Sequence, residues 1–326
     1  MGRPLPDDFP LRDYPPPVPP TLTYVTPRRR ERPWKHLALF LVTIVTTTVA
    51  GALHYASYLS GFSNVPPDLT SAQMYVGGLW YSVAILGILG LHELGHYYTC
   101  RHYGVDASMP YFLPAPLPLT GTLGAFIRIR QPIATKRQLF DIGIAGPIAG
   151  FVVAVPALIA GMAMSRVIRL PDQFDGFVVE LGEPLLFKAA AWLVFGAVPD
   201  GYTINMHPMA FAAWFGLLAT ALNLFPIGQL DGGHISYAVL GRKSTFVTIG
   251  TVLCLVGLTF VSSSWVVWTI LTVGMLLAFG PRHPRTPDED IPLDRSRMLL
   301  ALFAVIMFVL CFTPAPLEPI DLVARP

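Results

Sequence analysis

Charge is scarce in this chain. Asp, Glu, Lys and Arg together make up 13% of its 326 residues. So small a share excludes a disordered chain and an ordinary soluble domain. Cysteine is scarcer still. Cys100, Cys254 and Cys311 all fall in or beside apolar runs, with no Cys-x-x-Cys pair. That excludes a disulfide framework and a cysteine zinc knuckle, and leaves three small core residues. The first 33 residues hold no apolar h-region, so no cleavable signal peptide is expected. What the chain has in quantity is apolar surface: 53% hydrophobic residues and a mean hydropathy of +0.55. The two absences and this one excess indicate a polytopic membrane protein.

Residues 1–35 are rich in proline and end in the cluster Arg28-Arg29-Arg30-Glu31-Arg32. Such a segment cannot bury a core and is expected to be disordered and cytoplasmic. The cluster suits either anionic lipid headgroups or a plain topology signal. Residues 36–280 form the expected intramembrane domain, with its core at 74–240. Residues 281–326 add a charged loop and a C-terminal span. Apolar stretches at 37–59, 73–103, 140–164, 204–225, 244–262, 265–280 and 298–312 predict an all-α polytopic fold with six or seven transmembrane helices. A shorter piece, 185–195, is expected to lie on the membrane surface.

Residues 105–132 break this pattern. Pro110, Pro114, Pro116 and Pro118 rule out a helix. The stretch from Gly121 to Arg130 then ends in alternating apolar and basic residues, as a strand does. Irregular backbone at membrane depth needs cover from protein or a watery cavity. The reading is a re-entrant β-hairpin or loop dipping toward the site described next.

That site is Leu91-His92-Glu93-Leu94-Gly95-His96, at the C-terminal part of the second apolar stretch. His92 and His96 are four residues apart, so on a helix both imidazoles leave one face and can share one metal ion. Glu93 stands beside them, placed to act as a general base. Zinc is the usual occupant of such a pair, and it lowers the pKa of water to about 7. Two histidines that merely pack at a helix end are the bland alternative.

A catalytic zinc site needs a third protein ligand and an open position. His102 imitates the spacing of a metzincin site, but the glycine that turns such a chain back to the metal is Thr99 here. Asp231 is a carboxylate near the membrane and needs a partner there. Gly232-Gly233 allows the sharp turn that would aim it inward. Asp231 could equally cap a short helix from 231 to 239, and spacing alone leaves these two readings open. Asn223 is an amide in an apolar stretch and must find hydrogen bonds, whether at the site or between helices. His234 and His207 carry weaker cases, His207 being expected on the far side of the membrane.

Sidedness follows from Lys and Arg. With the N-terminus inside, the inside segments 1–35, 100–140, 226–243 and 281–297 carry seven, five, two and four. The outside segments 165–203 and 314–326 carry three and one. The N-terminus is therefore expected in the cytoplasm, with the histidines and the Asp231 loop toward the same face. Taken with the resemblance given below, a bacterial cytoplasmic membrane is the expected location.

The chain resembles the site-2 proteases, the intramembrane zinc metalloproteases of peptidase family M50. The resemblance is carried by His92-Glu93-Leu94-Gly95-His96, by Gly143-Ile-Ala-Gly-Pro-Ile-Ala-Gly150, and by Asn223-Leu-Phe-Pro-Ile-Gly-Gln-Leu-Asp231-Gly-Gly-His234. It covers about 74–240 and looks most like the short bacterial members without a PDZ domain and their plastid relatives. It implies one zinc ion held by His92, His96 and Asp231, with Glu93 catalytic. It implies that Asn223 positions substrate or stabilises the transition state. It also implies that the hairpin, with Gly121 and Gly124, offers an edge to substrate. A metalloendopeptidase is then expected, cutting single-span membrane proteins near the cytoplasmic face among membrane lipids. No nucleic-acid partner is expected. A metal transporter or sensor built on the same cluster is the competing class, and it would need polar groups along a path through the membrane.

Overall fold

The structure is a computed structural model in which residues 31–63, 67–171, 178–280 and 284–320 are described. Most of the expected proline-rich arm, residues 1–30, lies outside them. Helices α1 (Pro33–Ser60) and α2 (Ser71–His102) form an antiparallel pair, followed by strands β1 (Tyr111–Pro114) and β2 (Thr122–Phe126) and by helix α3 (Lys136–Ala163). Strands β3 (Arg166–Arg169) and β4 (Val178–Leu181), helix α4 (Leu185–Phe195) and strand β5 (Tyr202–Asn205) lead to α5 (Pro208–Asn223). Then come α6 (Asp231–Leu240), α7 (Ser244–Leu258), α8 (Ser264–Phe279), α9 (Arg295–Cys311) and β6 (Leu317–Ile320).

Local sequence sets several of these boundaries. Thr70 and Gln73 form a capping box that starts α2, and the Thr135 side chain accepts from Gln138 N to start α3. Pro208 occupies the first turn of α5, where its missing N–H costs nothing. The core lies between α3, α4 and α5, around fully buried Leu158, Met162, Trp214 and Leu217. Outward faces stay apolar: Leu41 and Val45 on α1, Phe246 and Leu253 on α7, Ile270 and Leu277 on α8 are all exposed. Helices apolar all round suit lipid surroundings rather than water.

Four helical segments are long and apolar enough to cross a membrane: Pro33–Ser60, Ser71–His102, Lys136–Ala163 and Asp231–Leu258. The last joins α6 and α7 across a tight turn at Gly241, where φ is +57°. Helix α5 is shorter than its apolar stretch suggests, at 16 residues, or about 24 Å. Residues 202–205 leave the helix to pair with β3. Helices α8 and α9 are similarly short, at 16 and 17 residues.

The bundle has two distinct ends. At one, Tyr58 donates to the Met164 carbonyl, β3 pairs with β5, and β4 pairs with β6. At the other, Tyr103 meets Asp141, and residues 286–297 reach Lys136, Asp141 and Tyr237. The β1–β2 hairpin runs between these ends along α1. His36 Nδ1 is 3.2 Å from the Pro110 carbonyl, and His54 Nε2 is 2.9 Å from the Leu119 carbonyl. Those histidines are about 27 Å apart along the helix. Pairing continues past β2: Ser108 N donates to Arg128 O and Arg130 N to Asp106 O.

Candidate metal centre

His92 and His96 sit one turn apart on α2, both buried, with Nε2 atoms 3.1 Å from each other. Asp231 opens α6. Its Oδ2 is 3.2 Å from His92 Nε2 and its Oδ1 3.3 Å from His96 Nε2. The two imidazoles thus stand side by side with one Asp231 oxygen turned to each, and one ligand atom from each residue lies within 4.8 Å of the others. A tetrahedral ion with ligand bonds of about 2.0–2.1 Å requires donor separations of about 3.3–3.4 Å. Separations of this order, with two imidazole nitrogens and a carboxylate, fit a zinc-sized ion. Among the described residues, this is the one group of His, Cys, Asp or Glu whose ligand atoms converge in this way. Asp231 does not cap its helix: Leu230 is the N-cap, and no side chain caps there.

Helix α3 holds the imidazoles in place. His96 Nδ1 is 2.7 Å from the Ile142 carbonyl, so Nδ1–H donates and Nε2 presents a lone pair to the cluster. Gly146 lies directly beneath the His96 ring and Gly150 beneath His92. Gly95 in turn faces the Ala145 carbonyl, which brings α2 and α3 close together. Gly143, two turns before Gly150, faces α6, where a Cβ would meet His234 Cβ at 3.1 Å. One helix therefore touches both elements that carry the donors.

Glu93 is buried, within electrostatic reach of His92, His96, Asp231 and the Ile127 backbone N–H. Arg128 and Arg130 turn their N–H groups toward Ser108 and Asp106. By alternation Ile127 turns its own away from β1, toward the outer edge of the hairpin. Asn223, the last residue of α5, has its Nδ2 3.4 Å from His92 Nε2. An apolar cavity of about 150 Å³ opens beside it, lined by Leu222, Phe225, Leu255 and Trp268 among others. A larger cavity of about 620 Å³ lies at the other end, around His54, Tyr58 and Tyr202, and no donor of the cluster lines it.

The structure brings His92, Glu93, His96, Asn223 and Asp231 together. It does not bring Gly121 to them. Gly121 packs on α1, where a Cβ would lie 2.6 Å from the Thr46 carbonyl oxygen, and its φ of +68° turns the hairpin. Thr47 bonds Ser82, so this contact sits about 15 Å along α2 before His92. Gly124 lies in β2 with a φ of +105°, and a Cβ added there would meet nothing within 4 Å. His102 ends an unbroken α2 and packs on Tyr103, beyond the cluster. His207 caps α5 at the other end. Sequence reasoning missed Ile142, which acts through a backbone oxygen; it names the glycine-rich stretch 143–150 but not the place of Gly146 and Gly150 beneath the imidazoles. The pair's spacing of four matches that of the histidines it supports, and this match is the signal that could have found it.

Fold and cluster together define a membrane-embedded helical protein with a buried His, His, Asp donor set and an adjacent glutamate. The chain belongs to peptidase family M50: the family model described as Peptidase family M50 matches residues 80–263. It is 30% identical over 259 residues to "Probable zinc metalloprotease EGY2, chloroplastic" of Arabidopsis thaliana, covering 76% of this chain and 45% of that one. The Oryza sativa subsp. indica protein of the same name is 28% identical over 319 residues, covering 91% and 54%. "Probable zinc metalloprotease EGY1, chloroplastic" of Arabidopsis thaliana is 28% identical over 298 residues, covering 85% and 52%. The chain spans about half the length of the curated relatives it matches. Their names place them in chloroplasts and lend no support to the expected bacterial membrane. The long apolar helices and the family make the chain an integral membrane protein.

Proposed function

We propose that the chain is a zinc metalloprotease that hydrolyses peptide bonds of single-span membrane proteins, close to the membrane face that carries most Lys and Arg. The observation that carries this reading is the convergence of the His92, His96 and Asp231 ligand atoms with Glu93 beside them. A zinc ion held there would supply Lewis acidity and water ionisable near pH 7. Glu93 takes the proton of the attacking water and passes it to the leaving amine. The Ile127 N–H, within electrostatic reach of the Glu93 carboxylate, would steady it for that transfer. Asn223 offers an N–H donor where negative charge develops on the scissile carbonyl.

A substrate helix hides its carbonyls in its own hydrogen bonds and must be extended before it is cut. Among the described residues no strand pairs with the outer edge of β2, and this edge accepts the substrate as an added strand, re-entrant at membrane depth under the cover of α1. In this role Gly124 gives the substrate backbone close access, while Gly121 shapes the hairpin. The apolar cavity beside Asn223 suits a substrate side chain drawn from a membrane span.

Seven crossings are proposed, with α5, α8 and α9 as short ones and the N-terminus on the positive side, which is the cytoplasm in a bacterium. The contacts support this. Segments assigned inside by charge touch one another, as Asp288 does Lys136. Segments assigned outside pair as β4 with β6. A transporter would need the cluster joined to the other end, and the large cavity there reaches none of the donors.

The test is cleavage of single-span reporters in membranes by wild type and Glu93→Gln, with zinc content measured in both. Loss of cleavage with zinc retained is expected. Wild-type cleavage by Glu93→Gln ends this mechanism, and zinc uptake into sealed vesicles without cleavage turns the assignment to transport.

A further inference from the structure

Asp141 ties three helices together. It lies on α3, next to Ile142, the residue that fixes His96. Arg297 of α9 grips it with a two-pronged fork, Nε to Oδ1 at 2.8 Å and Nη2 to Oδ2 at 2.5 Å. Tyr103, at the end of α2, donates its hydroxyl to the same Oδ2. The Arg297 and Asp141 side chains are only 12% and 17% exposed. Arg297 is itself braced by Asp294, which caps α9 and pairs with the guanidinium.

The segment before α9 makes a second set of ties. Asp288 Oδ1 accepts from the Lys136 backbone at the start of α3, and the Lys136 ammonium donates to the Glu289 carbonyl. Thr286 N donates to the Tyr237 hydroxyl on α6, two turns after Asp231. Arg242, just past α6, pairs with Glu289. Residues 286–297 thus link the helix that orients His96 to the helix that carries Asp231. All of them lie beyond residues 80–263, the part matched to the family.

We propose that Arg297 is a positioning residue for the metal centre, acting through Asp141 and the Ile142 carbonyl on His96. The inference rests on the reading of the cluster as a zinc site. A bidentate guanidinium fixes both the height and the rotation of a carboxylate, which a point charge does not. With Asp141 fixed, the next carbonyl keeps its 2.7 Å bond to His96 Nδ1. Without the fork, α3 can slide or turn by a fraction of an ångström, and the imidazole loses its set tautomer and direction.

The experiment uses the full chain in detergent, loaded with zinc, and follows zinc release to a chromophoric chelator alongside thermal unfolding. Arg297→Gln is expected to release zinc about 10- to 100-fold faster, the usual effect of losing a partner behind a ligand. Arg297→Lys keeps the charge without the fork and should fall between the two. If the arginine only stabilises the fold, the folded Arg297→Gln protein melts lower and holds zinc as wild type does; that result overturns the inference. Should Arg297→Gln fail to fold, Tyr103→Phe removes one bond to Asp141 and leaves the ion pair intact. About fivefold faster release is expected there, and unchanged release overturns the inference equally. A wild-type chain that binds no zinc fails the zinc reading itself, which these variants do not.

Discussion

Gly146 lies so close beneath His96 that a Cβ built on it would fall 2.1 Å from the ring Nε2. The ring has no room to retreat. Its other nitrogen is held by the Ile142 carbonyl, and its Nε2 faces two further donors. Gly146→Ala gains up to about 1 kcal/mol of helix propensity and still must displace the imidazole. It is expected to lose zinc affinity by more than about tenfold without unfolding. Gly87→Ala, one helix away with Val153 Cγ1 as nearest atom at 3.9 Å, should keep zinc and melt at or above the wild-type temperature. Zinc content and thermal melts of both variants check this.

Asp231 contributes the only anionic donor of the cluster, on a different helix from the two imidazoles. Asp231→Asn keeps the size and shape of the side chain and removes the charge. Zinc affinity should fall by more than the roughly 10- to 100-fold typical of a partner behind a ligand. Zinc at about 100 times its dissociation constant stabilises a folded site by about 2.7 kcal/mol. Wild type should therefore melt several degrees higher with zinc than with chelator, and Asp231→Asn should show no such difference. A full zinc-dependent shift in Asp231→Asn would remove this residue from the donor set.

The order of helices and the cluster are legible because both rest on strong local signals. Long apolar runs mark helices whatever surrounds them, and His92 and His96 share a face by helical period alone. Asp231 is ambiguous in the sequence, because an Asp-Gly-Gly turn can cap a helix as readily as it can aim a carboxylate elsewhere. Only packing decides, and here Leu230 takes the cap position. The length of α5 is hidden for a related reason: Ile204 and Met206 join the apolar run in sequence, but β3 claims the backbone of 204 and 205. The support from Ile142 leaves no trace in the sequence, since a carbonyl oxygen is common to every residue. Asp141 and Arg297 are far apart in the chain, and nothing local announces their fork.

Ile127 links the hairpin to the glutamate. Its N–H points away from β1, so proline at this position removes no bond within the hairpin. It does remove an N–H that lies within electrostatic reach of the Glu93 carboxylate. Ile127→Pro should keep zinc and the fold, and lower kcat by about tenfold, which corresponds to roughly 1.4 kcal/mol of lost stabilisation. If strand addition at this edge also aligns the substrate, KM rises in the same variant. Cleavage kinetics on a single-span reporter, with zinc content as control, separate these effects. Unchanged kcat and KM would leave the hairpin without a part in the reaction.

Charge counting and chain contacts agree on which loops share a side, and labelling can test that agreement directly. Asp290 lies in the segment bonded to the start of α3, and Asp200 in the turn before β5; both are exposed. The proposed topology puts them on opposite faces of the membrane. Cys100 and Cys311 are buried, while Cys254 is exposed on α7, so Cys254→Ala provides a quiet background. In that background, Asp290→Cys should react with an impermeant maleimide only in inside-out vesicles, and Asp200→Cys only in right-side-out ones. A zinc chelator confined to one side should then strip the centre fastest from the side on which position 290 labels, because the donors lie toward that end of α2. Labelling of both positions from one side would break the seven-span order. It would also separate the Asp231 loop from the face on which released substrate is expected.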